Sequence, residues 1–313
     1  MIAEAGFWLP RQSSTIAADV DWNFGLVYWV SVFFFALVTF LLFFFVFRFR
    51  NRAPDETAHH NTSLEVLWSA IPTAIVMAMF WFGYDTYMVM ATVPQNAYEI
   101  RVTAQKWNWL FTYPTGYVDG ELHVPAGEPV RLVMSAEDVI HSFYVPDFRV
   151  KRDVIPGRYT EVWFEAFEPG EHRIYCAEYC GTSHYNMLSR LHVHDRADYD
   201  AWLVQASDFL ARMPPVEAGE MLYLQRGCKQ CHSVDGTRGT APSFLNVYGS
   251  TEPLADGSTV VVDENYVRES ILAPYAKVRA GYEPVMPTYQ GRLSDPEISA
   301  IIEYLKTLNG SQQ

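Results

Sequence analysis

Two long uncharged stretches of hydrophobic residues lie near the start of the chain. Residues 24–47 and residues 66–84 contain no Asp, Glu, Lys or Arg. A helix formed by the first stretch would be about 36 Å long, and the apolar core of a bilayer is roughly 30 Å thick. We therefore predict a transmembrane hairpin of two helices, with spans at about 24–47 and 66–88, in an N-terminal region of residues 1–92.

Basic residues flank the two predicted spans unequally. Arg48, Arg50 and Arg52 follow the first span, whereas Arg11 alone precedes it. Because cytoplasmic loops carry an excess of Lys and Arg, this pattern predicts that the connecting loop is cytoplasmic. Both termini and the domains that follow would then lie on the outer, periplasmic side of a bacterial inner membrane.

A single carboxylate stands at the start of the second span, at Glu65. A carboxylate at a helix N-terminus is stabilised by the helix dipole. Ionisable residues beside membrane spans are also often functional, and this one could take up protons at the cytoplasmic surface. The sequence leaves both interpretations of Glu65 open.

The hydrophobic pattern changes to short β-rich segments after the hairpin. Pro-Gly turns separate these segments, and such a series of short strands is typical of a sandwich or barrel. An amphipathic helix at 197–212 would close this region, which we place at 93–212. The predicted strands are 98–102, 107–113, 130–134, 159–164 and 172–175.

Composition narrows the function classes. The net charge is −13, which argues against nucleic acid as a partner. The chain has four cysteines, in two close pairs, and each pair belongs to a separate motif. No cysteine is therefore left for a structural disulfide.

The first cysteine pair lies in a loop rich in possible metal ligands. Cys176, Cys180, His184 and Met187 fall within twelve residues, and His141 can supply a second imidazole from a neighbouring strand end. These are soft or borderline ligands, which favour copper. Two thiolates, two imidazoles, one thioether and one backbone carbonyl suit two copper ions bridged by both sulfurs. Such a centre shares one electron over two metals and is suited to electron transfer.

The second cysteine pair has the haem c attachment pattern Cys-x-x-Cys-His. Cys228 and Cys231 can form thioethers to the two haem vinyl groups, and His232 can bind the iron. Met286 lies in the loop before the last predicted helix, 294–308, and is the candidate for the second axial ligand. We therefore predict a linker and a haem domain at 213–313.

Residues 24–195 resemble subunit II of haem–copper cytochrome c oxidases. The resemblance includes the hairpin, Glu65-x-x-Trp68, the cysteine loop, and residues 105–109, 141–146 and 153–158. It implies an all-β cupredoxin-like Greek-key barrel that carries the dinuclear copper centre CuA. It also implies a magnesium ion, bound by the Glu178 carboxylate at the boundary with subunit I. The implied CuA ligands are His141, Cys176, the main-chain oxygen of Glu178, Cys180, His184 and Met187.

Two residues, Trp107 and Pro242, gain expected roles from family resemblance. Trp107 matches the surface tryptophan through which electrons reach CuA in the oxidase family, and the next position, often aromatic there, is Asn108. Trp109 is expected to pack in the core. The haem domain resembles an all-α class I cytochrome c, in which the carbonyl of a residue matching Pro242 orients the proximal histidine.

The whole multidomain chain resembles subunit II of caa-type oxidases, in which a cytochrome c follows the CuA domain. The resemblance implies transfer from a donor through haem c and CuA to haem a of subunit I, within a membrane complex that has further oxidase subunits. The donor would be a cytochrome c or a quinol-oxidising complex. The complex would reduce dioxygen to water and pump protons, with no oxygen-reducing site in this chain.

Two other functions remain open at this point. The chain could deliver electrons to a nitric oxide reductase, or it could be a stand-alone membrane electron carrier. Glu65-x-x-Trp68 and Glu178 favour the oxidase, because in that family these positions serve proton uptake and the magnesium site. His172, His192 and His194 are not expected to bind metal, since the sequence pairs them with no further ligands.

Overall fold

The computed structural model describes residue 6 and residues 8–51 and 60–310. The chain forms two compact units. Unit 1 comprises Met1–Gln95 with Asp147–Arg149, and unit 2 comprises Asn96–Pro146 with Val150–Gln313. Arg52, part of the basic loop used above to predict topology, lies outside the described residues.

Two long helices dominate unit 1. Helix α1 spans Ala17–Phe49 and helix α2 spans Thr62–Ala91, and both are long and apolar enough to cross a membrane. Their central residues are not buried within the unit, as expected of helices that face lipid. The prediction of two membrane spans is confirmed. Each helix extends beyond its apolar stretch because polar residues continue the helix at both ends.

Polar contacts link the start of α1 to the end of α2 and to Arg149. The Asn23 side chain donates to Thr86 Oγ1 at 2.6 Å and so links α1 to α2. The Arg149 guanidinium donates to both carboxylate oxygens of Asp21, at 2.7 and 2.8 Å. Such bidentate pairs are geometrically specific.

Ten strands of unit 2 form two five-stranded sheets. Alternate residues of the strands are buried where the two sheets face each other, which is the period-two pattern of a half-buried strand. The first sheet has the order β3-β2-β1-β5-β8. Its strands are β1 Tyr98–Gln105, β2 Asn108–Thr112, β3 Val118–Asp119, β5 Pro129–Ala136 and β8 Thr160–Glu165.

The second sheet contains the two strands on either side of residues 176–187, the copper loop. Its strands are β4 Leu122–Pro125, β6 His141–Val145, β7 Val150–Val154, β9 Gly170–Cys176 and β10 Leu188–His194, in the order β4-β10-β9-β6-β7. The parallel pairs β1–β5 and β4–β10 cannot be joined by tight hairpins, so the chain crosses between sheets as in a Greek key. The predicted cupredoxin-like fold is confirmed.

Some elements of this domain differ from their predicted form. Strand β7 was not predicted, because its three central residues, Lys151, Arg152 and Asp153, are exposed and charged. The predicted helix at 197–212 is present as α3 Arg196–Ser207 and α4 Phe209–Arg212, with a break at Asp208.

The C-terminal part of unit 2 is helical, as predicted for a cytochrome c. Its helices are α5 Pro215–Gln225, α6 Glu264–Leu272 and α7 Asp295–Thr307. Helix α5 crosses α7 at Gly219, where an added Cβ would lie 2.0 Å from the Ala300 carbonyl oxygen. One short hairpin, β11 Thr251–Pro253 with β12 Thr259–Val261, departs from the all-α expectation.

Candidate copper and haem sites

The two thiols of the copper loop lie side by side without a bond. Cys176 ends β9 and Cys180 lies in the loop that leads to β10, with their Sγ atoms 3.8 Å apart. A disulfide bond is about 2.05 Å long, so both thiols are free. His184 Nδ1 and Met187 Sδ lie 3.5 and 3.8 Å from Cys180 Sγ. The loop therefore places His184 and Met187 beside Cys180.

His141 approaches the sulfur pair from the neighbouring strand. Strand β6 pairs with β9, and this places His141 Nδ1 3.9 Å from Cys176 Sγ. His141 Nε2 lies 2.9 Å from Asp138 Oδ1. When the imidazole is neutral, Nε2–H donates to that carboxylate and Nδ1 keeps a lone pair directed to the sulfurs.

Asp138 is a functional residue that the sequence analysis missed. Its carboxylate also accepts hydrogen bonds from the backbone amides of Lys106 and Val139, at 2.8 and 2.7 Å. These contacts fix the carboxylate against the buried His141 ring. The sequence offered one signal, a carboxylate three residues before a predicted metal ligand.

The electrostatics of the sulfur pair fit a metal centre. Burial opposes ionisation of Cys176, but hydrogen bonds from His141 and the backbone lower its pKa to about 6. Burial and the neighbouring Cys176 raise the pKa of Cys180 to about 12. The two shifts have opposite directions because ionisation of one sulfur disfavours ionisation of the other. Bound metal supplies the positive charge that lets both ionise.

The main-chain oxygen of Glu178 lies beside the sulfur pair, and the residue as a whole is exposed. Its main-chain oxygen accepts a hydrogen bond from Cys176 Sγ at 3.2 Å, which puts the carbonyl beside the sulfur pair. The residue itself is exposed. The carboxylate is therefore accessible from outside the domain.

Trp107 and Trp109 have different surroundings. Trp107 is 6% exposed, and its indole lies against Gly181, where an added Cβ would be 3.3 Å from the ring. Gly181 follows Cys180, so the indole adjoins the copper loop. Trp109 is fully buried and packs edge-on against Phe143, with ring centroids 5.7 Å apart.

The predicted haem-binding residues line a cavity in the C-terminal domain. Cys228, Cys231, His232 and Met286 all line it. The cavity is mostly apolar apart from these groups, which suits a buried porphyrin. The structure therefore brings both predicted axial ligands into one space.

The His232 ring is held in one orientation. Its Nδ1 lies 2.8 Å from the Pro242 carbonyl oxygen, and its ring stacks on Phe244 with centroids 4.2 Å apart. Nδ1–H donates to that carbonyl, so Nε2 is left as the lone-pair donor. Burial lowers the pKa of His232 to about 4, despite the opposing hydrogen bond to Pro242. The imidazole is thus neutral and able to bind iron.

Glu65 makes polar contacts at the start of α2. Its Oε1 accepts a hydrogen bond from the Asn61 backbone amide at 3.2 Å and lies 2.7 Å from His60 Nδ1. Asn61 Oδ1 in turn accepts from the Leu64 amide, which caps the helix. These contacts account for a structural role and leave the carboxylate half-exposed.

His192 lies beside two residues, Glu121 and His123, with which the sequence did not pair it. Glu121, His123 and His192 offer ligand atoms within 4.8 Å of one another. His192 Nε2 lies 2.7 Å from Glu121, while the His123 and His192 rings stack at 4.5 Å with planes 19° apart. Nearly parallel stacked rings do not direct their in-plane lone pairs to one point. We therefore assign this group to packing between β4 and β10, where Trp202 covers His123.

Three regions of the chain match known protein families. Residues 3–84 match the transmembrane domain of cytochrome c oxidase subunit II, and residues 76–192 match its periplasmic domain. Residues 216–309 match cytochrome c.

Individual relatives carry related names. A cytochrome c oxidase subunit 2 of Alkalihalophilus pseudofirmus is 33% identical over 87% of this chain and 82% of its own length. An alternative cytochrome c oxidase subunit 2 of Bradyrhizobium diazoefficiens is 31% identical over 65% of this chain and 85% of its own. The crystal structure of the periplasmic domain of subunit II (CoxB) of Bradyrhizobium japonicum is 31% identical and covers 38% of this chain and 99% of its own, with a TM-score of 0.36.

Proposed function

Since the chain belongs to the subunit II family of cytochrome c oxidase and carries a cytochrome c domain, we propose that it relays electrons within a caa-type terminal oxidase. Electrons pass from a donor to haem c, then to CuA, and then to haem a of subunit I. The donor is a cytochrome c or a quinol-oxidising complex. The whole complex reduces dioxygen to water and pumps protons.

One observation carries this proposal. Two free, buried thiols 3.8 Å apart have His141, His184 and Met187 within 4 Å of one or the other sulfur. The chemistry of a redox dithiol does not require two imidazoles and a thioether at such distances. The donor set is the one that a bridged pair of copper ions requires.

The chain's own residues prepare both sites. Bound copper and bound haem would each supply a one-electron centre. Asp138 holds the proton on His141 Nε2, and Pro242 holds the proton on His232 Nδ1, so each ring offers its other nitrogen. Cys228 and Cys231 would hold the haem by thioethers, and Met286 would complete its axial set. Trp107 is the residue through which electrons reach the copper loop.

The remaining assignments concern the membrane and the partner subunits. The two spans lie in a bacterial inner membrane, with region 1–92 forming the anchor and regions 93–212 and 213–313 on the periplasmic side. The exposure of Glu178 supports a magnesium site shared with subunit I. Glu65, at the other end of the hairpin, is assigned to proton uptake.

Replacing Cys180 tests the proposal. In Cys180→Ser, the mixed-valence absorption of CuA should vanish, haem c should remain reducible by donor, and oxygen consumption by the purified complex should stop. Ser183→Ala, a change at a nearby buried residue that is not a ligand, should retain all three. An unchanged CuA spectrum in Cys180→Ser would contradict the ligand assignment. Consumption of nitric oxide instead of oxygen by the wild-type complex would identify a reductase.

A further inference from the structure

The haem cavity is not lined by the cytochrome domain alone. Three residues of the cupredoxin domain, Gln105, Lys106 and Asn108, line it together with Cys228 and the other haem attachment residues. They belong to the turn between β1 and β2, which also contains Trp107. The turn that adjoins the copper loop is therefore also a wall of the haem cavity.

Two glycines bring both cofactor motifs against this turn. Gly227 precedes Cys228, and an added Cβ there would lie 2.7 Å from the Asn108 side chain. Gly181 follows Cys180 and lies against Trp107. Asn108 and Trp107 are neighbours in the chain. Contacts through these two residues and the two glycines therefore connect Cys180 with Cys228.

The residue type at position 108 agrees with this close approach. Asn108 is 9% exposed, and its side-chain nitrogen is buried without a hydrogen-bond partner among the described residues. A large aromatic side chain here would meet the Gly227 backbone. The small amide therefore leaves room for the cytochrome domain to dock.

Arg292 fastens the two domains beside this contact. It precedes α7 and donates from Nη1 to Gln105 Oε1 at 2.5 Å. Its guanidinium also pairs with the Glu137 carboxylate, just after β5. Gln105 is 1% exposed, and the Arg292 side chain is 20% exposed. A charge pair partly shielded from water resists screening better than an exposed pair does.

Arg226, at the end of α5, also connects the cytochrome domain to the cupredoxin domain. It is 3% exposed and donates to the Val118 carbonyl oxygen of β3 at 2.8 Å. Its Nη2 donates to Glu297 Oε1 of α7 at 2.6 Å. Asn186 of the copper loop also donates to Gln230, between the two haem cysteines, at 2.6 Å. The interface is thus built from both cofactor loops.

We propose that Arg292 is a positioning residue that holds the haem domain against Asn108 and Trp107, so that electrons cross from haem c to CuA at a fixed separation within one chain. This inference rests on the proposed function. With both groups bound, the haem would give up one electron and the copper pair would accept it, so the transfer would balance at one electron. No bond forms or breaks and no proton moves in this step.

The test compares two arginine variants in the full chain within its complex. Arg292→Gln removes the interdomain ion pair, whereas Arg268→Gln removes an ion pair with Asp295 that stays inside the cytochrome domain. Haem c is reduced by a flash, and its reoxidation is followed together with CuA reduction. Because the rate of electron transfer falls steeply as the distance between donor and acceptor grows, we expect the rate of haem c reoxidation to fall measurably in Arg292→Gln. Arg268→Gln should keep the wild-type rate.

Further measurements separate positioning from damage to either cofactor. Amide hydrogen exchange at 105–108 and 226–232 should accelerate in Arg292→Gln, while the spectra and reduction potentials of both cofactors stay unchanged. Glu137→Gln, a change at a half-exposed residue, should reproduce the effect. The charge swap Arg292→Glu with Glu137→Arg should restore part of the rate.

Two failures are distinguishable. If the wild-type protein shows no CuA reduction coupled to haem c oxidation, the proposed function itself is wrong. If the wild-type protein transfers electrons and Arg292→Gln does so at the same rate with unchanged hydrogen exchange, the positioning role of Arg292 is overturned.

Discussion

Single hydrogen-bond acceptors set which nitrogen of His141 and of His232 is left free to bind a cofactor. Asp138 and the Pro242 carbonyl each accept a hydrogen bond from one ring nitrogen, which leaves the other nitrogen as the ligand atom. A ligating histidine whose second nitrogen is unsupported can rotate or change tautomer. The partner that orients each histidine is therefore part of the site, although it touches no cofactor.

Asp138→Asn should weaken copper binding without abolishing it. The amide oxygen can still accept from His141 Nε2, but the negative charge that makes the imidazole a stronger donor is lost. We expect copper affinity to fall about 10–100-fold. Copper retention during chelator titration measures this. Glu161→Gln, which alters an exposed ion pair on the other sheet, is the control and should retain copper as the wild type does.

Glu65→Gln separates proton uptake from helix capping. The glutamine can still accept from the Asn61 amide but cannot carry a proton. If Glu65 takes up protons, oxygen consumption should slow roughly tenfold or more while CuA reduction is unchanged. Asn61→Ala removes the helix cap and keeps the carboxylate, so turnover should persist. Normal turnover in Glu65→Gln would leave only the capping role.

At the scale of elements, close backbone contacts set the cytochrome fold. Helices α5 and α7 cross at Gly219, and α7 starts with a capping box formed by Ser294 and Glu297. The helix boundaries follow local signals, but the crossing depends on the missing side chain at Gly219.

Gly219→Ala should destabilise the haem domain. The added Cβ would lie 2.0 Å from the Ala300 oxygen and 2.8 Å from the Tyr304 Cβ, so the helices must separate. Overpacking of this kind costs about 1–3 kcal/mol. Thermal unfolding monitored by haem absorption should show a lower Tm and less attached haem. Leu224→Ala, at an exposed position of the same helix, should leave both near wild type. An unchanged Tm in Gly219→Ala would show that α5 and α7 can accommodate a side chain at their crossing.

At the scale of the whole molecule, topology determines where each cofactor is assembled. Haem attachment to Cys-x-x-Cys-His takes place outside the cytoplasm, in agreement with the topology that the arginines predict. The connection between α1 and α2 would then be the part of the chain exposed to the cytoplasm.

Single-cysteine labelling tests this topology. Asn51→Cys lies at an exposed position just after α1, and Tyr159→Cys lies on the cupredoxin domain at a residue that is 79% exposed. A membrane-impermeant maleimide should label Tyr159→Cys in spheroplasts and Asn51→Cys only in inverted vesicles. The unsubstituted chain, whose four cysteines are all proposed to hold cofactors, is the control and should stay unlabelled. The reverse pattern would invert the proposed orientation.

The sequence by itself determined the features that depend on neighbouring residues. The two spans follow from uncharged stretches, and the ligand sets follow from spacing within residues 176–187 and 228–232. Such local patterns can be recognised without knowing how the rest of the chain folds. His141 lies outside these stretches and was added because it stands at a predicted strand end and matches the family's ligand set.

Only the tertiary structure decided the contacts that join these pieces. Arg292 and Gln105 are 187 positions apart in the chain, and no periodicity or spacing links them. The contact of Gly227 with Asn108 likewise depends on how the cytochrome domain packs against the cupredoxin sheet. These contacts arise from the packing of whole elements, which local sequence does not specify. For that reason the shared wall between the haem cavity and the copper loop became visible only in the folded chain.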